Sequence, residues 1–280
     1  MSQRLQRAVV TFALGATLAG CSASVLPQIH SDTGTMPVAR RLFERGDMLN
    51  LVSLLTTYTT QQSGAADVDQ AVELLGRARL RQREYPLAEA DFVRVLRDFP
   101  ESDSAGSAAF LLGEALLGQS READFDQEFT LKALQQFMDY RRGYPDHWRA
   151  GEATTRIGQC RTRLATKLVR TGDLYVRLGQ WEPARLYYRN ALNEYGESPV
   201  AGDAVIGLAV VDAKLGERPK AIETLLGIER EHPGTPLAMK ASKTRRQIEK
   251  WKDEVAKPRD MREPNEPPPP GQPPSGGQTQ

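Results

Sequence analysis

The chain is poor in the residues that most often carry chemistry or covalent cross-links. Two cysteines, Cys21 and Cys160, are too few for a disulfide framework. Three histidines (His30, His147, His232) are scattered, and none stands at metal-ligand spacing from another His, Cys or carboxylate. A Gly-rich phosphate loop, a nucleophile elbow and a His-Glu-x-x-His pair are all missing, so the sequence supports no enzyme, metal site or cofactor. An excess of one charge is missing too. Lys+Arg 37 against Asp+Glu 36 argues against a nucleic-acid binder, which carries a marked basic excess. Alternating β-branched and polar runs, the signal of strands, are nearly absent. The apolar stretch from Ala8 to Leu18 is too short for a transmembrane helix, which needs roughly 20 residues. What is present, 40% hydrophobic and 26% charged residues, is the composition of a soluble globular protein.

That short apolar stretch follows a basic tip (Arg4, Arg7) and ends in Leu18-Ala19-Gly20-Cys21. Positive tip, apolar middle and small residues at the cut make a secretory signal peptide. Leu18-Ala19-Gly20-Cys21 resembles the bacterial lipobox. The resemblance implies cleavage before Cys21, diacylglycerol on its sulfur and a fatty acid on the new amino group. Two or more acyl chains on one residue anchor stably where one is marginal. Ser22 stands where an Asp holds enterobacterial lipoproteins in the inner membrane, which points to the outer membrane. With Cys21 acylated, Cys160 is alone, and its apolar setting marks a buried, inert thiol.

One pattern recurs through the rest of the chain. Ala88, Ala133, Ala184 and Ala221 are each followed four residues later by Phe92, Phe137, Tyr188 or Leu225. A helix stop stands twelve residues after each small residue: Pro100, Pro145, Gly196, Pro233. The small residue lets a neighbouring helix approach, and the bulky one a turn later fills the gap on the same face. Twelve residues upstream of Ala88, Ala184 and Ala221 lie Gly76, Gly172 and Ala209. Spacing and residue types match the tetratricopeptide signature. A degenerate first unit, Gly46-Asp47 through Leu51 and Leu55, lacks the small residue and the stop, as terminal repeats often do.

The expected architecture is all-α: a tetratricopeptide-repeat solenoid of about five helix pairs plus a C-terminal capping helix. Helices are expected at about 36–45, 47–61, 67–82, 84–98, 102–118, 127–142, 148–178, 181–194, 199–215, 217–231 and 236–256. The domain boundaries are 1–20 for the signal peptide, 21–35 for a lipidated tether, 36–256 for the repeats and 257–280 for a tail. The tail, with Pro267-Pro268-Pro269-Pro270 and Ser275-Gly276-Gly277, cannot build a core and is expected to be disordered. The end helix carries Lys240, Lys243, Arg245, Arg246, Lys250 and Lys252; such a basic helix could contact anionic lipid, and the plainer reading is the solvated face of a cap that closes the last repeat with Ile248 and Trp251.

Lipobox and repeats together narrow the field. The stretch from about 36 to 235 resembles the BamD family of outer-membrane β-barrel assembly lipoproteins. Three segments carry the likeness: Ala123-Asp124-Phe125-Asp126-Gln127, Ile157 through Ala165 (with Cys160-Arg161-Thr162-Arg163-Leu164-Ala165), and Gly179 through Arg185. The first repeat departs from the family by lacking its Tyr-Pro stop. Asp124-Phe125 replaces a charged pair, and Tyr187 stands where some members have an Arg that touches the partner subunit.

The resemblance implies a protein at the periplasmic face of the outer membrane, held there by the lipid on Cys21. Its C-terminal repeats would dock on a POTRA domain of a BamA-like barrel protein. Its N-terminal repeats would receive unfolded outer-membrane proteins; accessory Bam lipoproteins are further candidate partners, and the sequence does not say whether they join. A different lipoprotein adaptor, serving peptidoglycan or secretion components, is the alternative. Glu73, Arg77 and Arg81, four residues apart on one stripe, are the expected substrate surface; a solvated ion-pair ladder is the plainer reading of the same spacing. Arg185, Arg189 and Lys214 are the expected partner surface.

Overall fold

The computed structural model describes residues 34–251. The expected signal peptide with Leu18-Ala19-Gly20-Cys21, nearly all of the expected tether and the expected tail lie outside the described residues. Among these residues there are eleven α-helices and no strand. In chain order they are α1 (Thr35–Arg45), α2 (Met48–Gln61), α3 (Val68–Arg81), α4 (Tyr85–Asp98), α5 (Asp103–Gln119) and α6 (Glu128–Gly143). Then come α7 (Ala150–Arg177), α8 (Trp181–Tyr195), α9 (Ala201–Lys214), α10 (Arg218–Glu231) and α11 (Pro236–Glu249). Each lies within two residues of its expected bounds except at the end of α11. There Lys250 and Trp251 donate to the Gln247 and Ile248 carbonyls at 3.2 and 3.1 Å. These tightened i→i−3 bonds close the helix at Glu249.

The turns inside the helix pairs share one bond. The N–H groups of Asp47, Glu84, Gln180 and Glu217 donate to the carbonyls of Leu42, Arg79, Tyr175 and Asp212 at 3.0, 2.9, 2.9 and 2.8 Å. This six-to-one closure needs a left-handed residue just before the donor. Gly46, Gly179 and Gly216 supply it at φ 78°, 70° and 98°, and Arg83 supplies it at φ 62°. Between α5 and α6 the loop Ser120–Gln127 replaces that turn.

The chain divides into two compact units, one through Leu111 and one from Leu112. In the first, α1 to α3 enclose a core that includes Ala39, Leu42, Leu51, Leu55, Ala71 and Leu75. Phe92 of α4 is fully buried, with its ring over Gly76 of α3. A methyl group on Gly76 would stand 2.7 Å from that ring, so a larger residue there displaces it. Beside this contact Arg79 donates twice to the Asp91 carboxylate, at 2.7 and 2.8 Å. Burial pushes the Asp91 carboxyl up to about 6 against the pull of Arg79.

The second unit repeats the device. Phe137 of α6 lies over Gly113 of α5, and Tyr188 of α8 lies between Gly172 of α7 and Gly207 of α9. Methyl groups on those three glycines would stand 2.6, 2.7 and 2.5 Å from the rings. The Tyr188 hydroxyl donates to Asp173 Oδ1 at 2.6 Å, which lets a hydroxyl-bearing ring serve as a core residue. In the last pair Ala209, Ala221 and Leu225 share a core with Ile248 of α11, which is fully buried and caps the stack. Cys160 is fully buried, and burial pushes its thiol up to about 11.

Candidate functional site

Glu73, Arg77 and Arg81 do share a face: all three line a groove of about 520 Å³ between α1 and α3. Their surroundings differ from a solvated ladder. Glu73 is buried, accepts from Ser107 Oγ at 2.9 Å and lies 3.7 Å from Arg77 Nη1. The Arg81 guanidinium sits 3.7 Å from the centre of the Phe43 ring and donates to the Phe43 carbonyl at 3.2 Å. It thereby ties the end of α1 to α3. Arg77 approaches the same ring at 4.9 Å, and its side chain stays 43% exposed. Arg40 donates to Gln70 Oε1 at 2.8 Å on the same rim. The groove therefore presents guanidinium donors around a buried aromatic ring. It suits a ligand that brings carboxylate or carbonyl oxygens together with an apolar group. Sequence spacing found the α3 stripe. Phe43 and Arg40 were not legible, because they come from another helix.

The three partner-surface residues diverge. Arg185 is held inside the second unit: its Nε is 2.9 Å from Asp212 Oδ1, and its Nη2 pairs with Glu217. It joins α8 to the α9–α10 turn and is mostly covered. Arg189 is exposed on α8. The Lys214 ammonium is 5.7 Å from the Trp181 ring and 4.0 Å from the Trp251 ring, between two indoles. The cations of α11 are paired in part, Lys240 with Asp203 at 2.6 Å and Arg245 with Glu229 at 2.8 Å.

A larger groove, about 920 Å³, runs along α7 in the second unit. Its floor is Thr155, Gly158, Thr162 and Thr166, with Ala123 of the α5–α6 loop on one wall and Pro199 on the other. The loop is stapled down from within and from α7. Gln127 Nε2 donates to the Glu122 and Phe125 carbonyls at 2.7 and 3.1 Å. Arg163 donates to Ser120 Oγ at 2.7 Å, Lys167 to the Asp124 carbonyl at 2.8 Å, and Arg170 to the Asp124 carboxylate at 2.6 Å. Asp124, which departs from the family pattern, is thus the residue that α7 grips.

Among the described residues no group of His, Cys, Asp and Glu is placed to hold a metal ion. None of the described helices is long and apolar enough to cross a membrane. A comparison with curated proteins finds no match. Among solved structures the chain is similar to a thermophilic TPR protein of Thermus thermophilus at 15% identity. That alignment spans 75% of this chain and 96% of the other, with a TM-score of 0.34. It is also similar to YrrB, a TPR protein with an unusual peptide-binding site, at 20% identity over 76% of this chain and 94% of that one, TM-score 0.37. Over residues 39–242 the sequence matches the YfiO family, described as an outer membrane lipoprotein. That span covers all but the ends of the eleven helices. The chain therefore belongs to the YfiO family of outer membrane lipoproteins, built from tetratricopeptide helix pairs.

Proposed function

We propose that this protein is an outer-membrane-anchored periplasmic scaffold of the β-barrel assembly machinery. In this reading the lipid on Cys21 fixes it to the membrane. The second unit docks on a POTRA domain of a BamA-like barrel protein, and the groove of the first unit receives unfolded barrel substrates. The family match over residues 39–242 is the observation that carries the reading. The α1–α3 groove supports its substrate half: guanidiniums beside Phe43 suit a segment ending in an aromatic side chain and a carboxylate. Chemistry is not required of the scaffold, since barrel closure and burial in lipid can drive folding. For the partner half, Arg189 and Lys214 are the accessible members of the expected set, because Arg185 is spent on Asp212 and Glu217.

The test is a pull-down of the acylated protein from its native envelope in mild detergent, with mass spectrometry of what comes with it. A BamA-like barrel at near-equal amount is expected. Its absence, with other envelope proteins enriched, would assign the scaffold to a different complex. Arg77→Glu is expected to weaken capture of a labelled peptide ending in an aromatic residue by about tenfold, the order of one charge-assisted contact. Unchanged capture would remove the groove from the substrate path.

A further inference from the structure

The last helix, α11, carries a charge pattern that its packing does not use up. The span Pro236–Lys250 holds five cations and one carboxylate, Glu249. Two of the cations are ties within the second unit. Lys240 pairs with Asp203 of α9 at 2.6 Å, and Arg245 pairs with Glu229 of α10 at 2.8 Å and with Glu249 at 2.6 Å. The other three are Lys243, Arg246 and Lys250, the helical cap residue just past α11; all three are exposed. Among the described residues the Lys243 and Lys250 ammoniums have no partner. Arg246 donates only within its own helix, to the Ser242 carbonyl and hydroxyl at 3.4 and 3.2 Å. At about 100° per residue these three and Met239 fall within an arc of about 60°. Met239 is 61% exposed on that arc. Ala241 and Ile248, which face the core, lie on the opposite side. The rotation that buries Ile248 therefore turns one narrow cationic stripe outward, with an apolar side chain near its start.

We propose that this stripe is a membrane contact that binds the anionic headgroups of a phospholipid bilayer. A plane touches a helix along a narrow arc, so side chains that share such an arc reach it together. Lysine and arginine carry their charges to headgroup phosphates while their methylene stems lie along the apolar boundary, where the Met239 side chain also fits. A carboxylate, which an anionic surface repels, is missing from the arc. The chain belongs to a family of outer membrane lipoproteins, so a bilayer is an anionic surface that it meets at high effective concentration. A lipid anchor brings a chain to the membrane but leaves free which face turns to it. A basic stripe on α11 sets that face for the second unit. Bulk charge does not do so: without the expected signal peptide, which holds Arg4 and Arg7, the net charge passes from +1 to −1. Attraction to an anionic bilayer then has to come from a local patch. The inference rests on the family's membrane location and not on the assembly-machinery reading.

The experiment uses the chain from position 21 onward with Cys21→Ser, so that neither an acyl group nor the apolar leader holds it to lipid. Vesicles are equal parts phosphatidylglycerol and phosphatidylcholine, in low salt. Each cation at an anionic surface adds about fivefold to binding, so the triple variant Lys243→Gln, Arg246→Gln, Lys250→Gln is expected to bind about a hundredfold more weakly. A second triple variant, Arg41→Gln, Arg141→Gln, Arg230→Gln, removes the same charge from exposed positions on α1, α6 and α10 and is expected to bind nearly as the parent does. All six changes are at exposed positions and leave the fold intact, which thermal melts check. A polarity-sensitive dye on Met239→Cys is expected to shift to the blue on these vesicles and not on pure phosphatidylcholine; Cys160 is buried and takes no label. Absence of binding by the parent, an unshifted dye, or equal losses in the two triple variants overturns the proposal. Undiminished vesicle binding by the stripe variant, with a protein of the native envelope no longer co-purifying, also overturns it and assigns the stripe to an acidic protein surface.

Discussion

The two units solve one packing problem in different ways. In the first, a phenyl ring, Phe92, meets a single glycine, Gly76, and the neighbouring charge pair Arg79–Asp91 closes the same α3–α4 interface. The second repeats that contact with Phe137 on Gly113, but there Tyr188 is also gripped from two sides by Gly172 and Gly207, so one ring joins three helices, α7, α8 and α9. Its hydroxyl reaches Asp173 and its neighbour Arg185 reaches Asp212 and Glu217. The difference teaches that the repeat signature specifies a small residue and a bulky one, while the number of helices each knob serves is set by the next pair along.

The comparison can be broken most severely at the knobs. Phe92→Ala is expected to cost about 4 kcal/mol, and Tyr188→Ala at least as much because it empties two interfaces; urea melts of both variants check the order. Next comes the ion pair. Arg79→Ala leaves Asp91 buried without its partner and is expected to cost about 3 kcal/mol at pH 8. The folded-state pKa of Asp91, already raised to about 6, rises further in that variant. The folded state then binds the extra proton as pH falls, so the penalty should shrink between pH 8 and pH 5. A penalty independent of pH would mean that Asp91 is not what Arg79 protects. Smaller again are the glycines: Gly76→Ala and Gly207→Ala are each expected to cost about 2 kcal/mol by overpacking. Equal costs would sharpen the view that each glycine acts alone. The smallest effect is a gain. Arg83 holds the left-handed turn position that glycine holds elsewhere, so Arg83→Gly is expected to stabilise the first unit by a few tenths of a kcal/mol.

Much of the fold was legible because the signature acts through residues close in sequence. Ala88 with Phe92 and Ala184 with Tyr188 announced their helices, and Pro100 and Pro145 announced their ends. Gly113 escaped notice for a simple reason. Gly76 and Gly172 stand sixteen residues before their rings, but the loop Ser120–Gln127 moves Gly113 to twenty-four residues before Phe137. An allowance for that insertion would have found it. Gly207 follows its ring and belongs to the next pair, so no search within one repeat reveals it. The candidate sites were less legible. The stripe Glu73, Arg77, Arg81 is a property of one helix and could be read. The commitment of Arg185 to Asp212 depends on a helix that begins after another turn, and charge alone does not distinguish a buried tie from a docking residue.

The seat of Lys214 between Trp181 and Trp251 gives the protein a built-in optical probe. Indole emission responds to a nearby ammonium, and two of the three tryptophans of the chain flank this one. The third, Trp148, is 78% exposed and samples water. A partner that draws Lys214 away with a carboxylate changes the field at both covered rings and leaves Trp148 as an internal reference. Docking on that face is therefore readable in the ultraviolet fluorescence of the unlabelled chain.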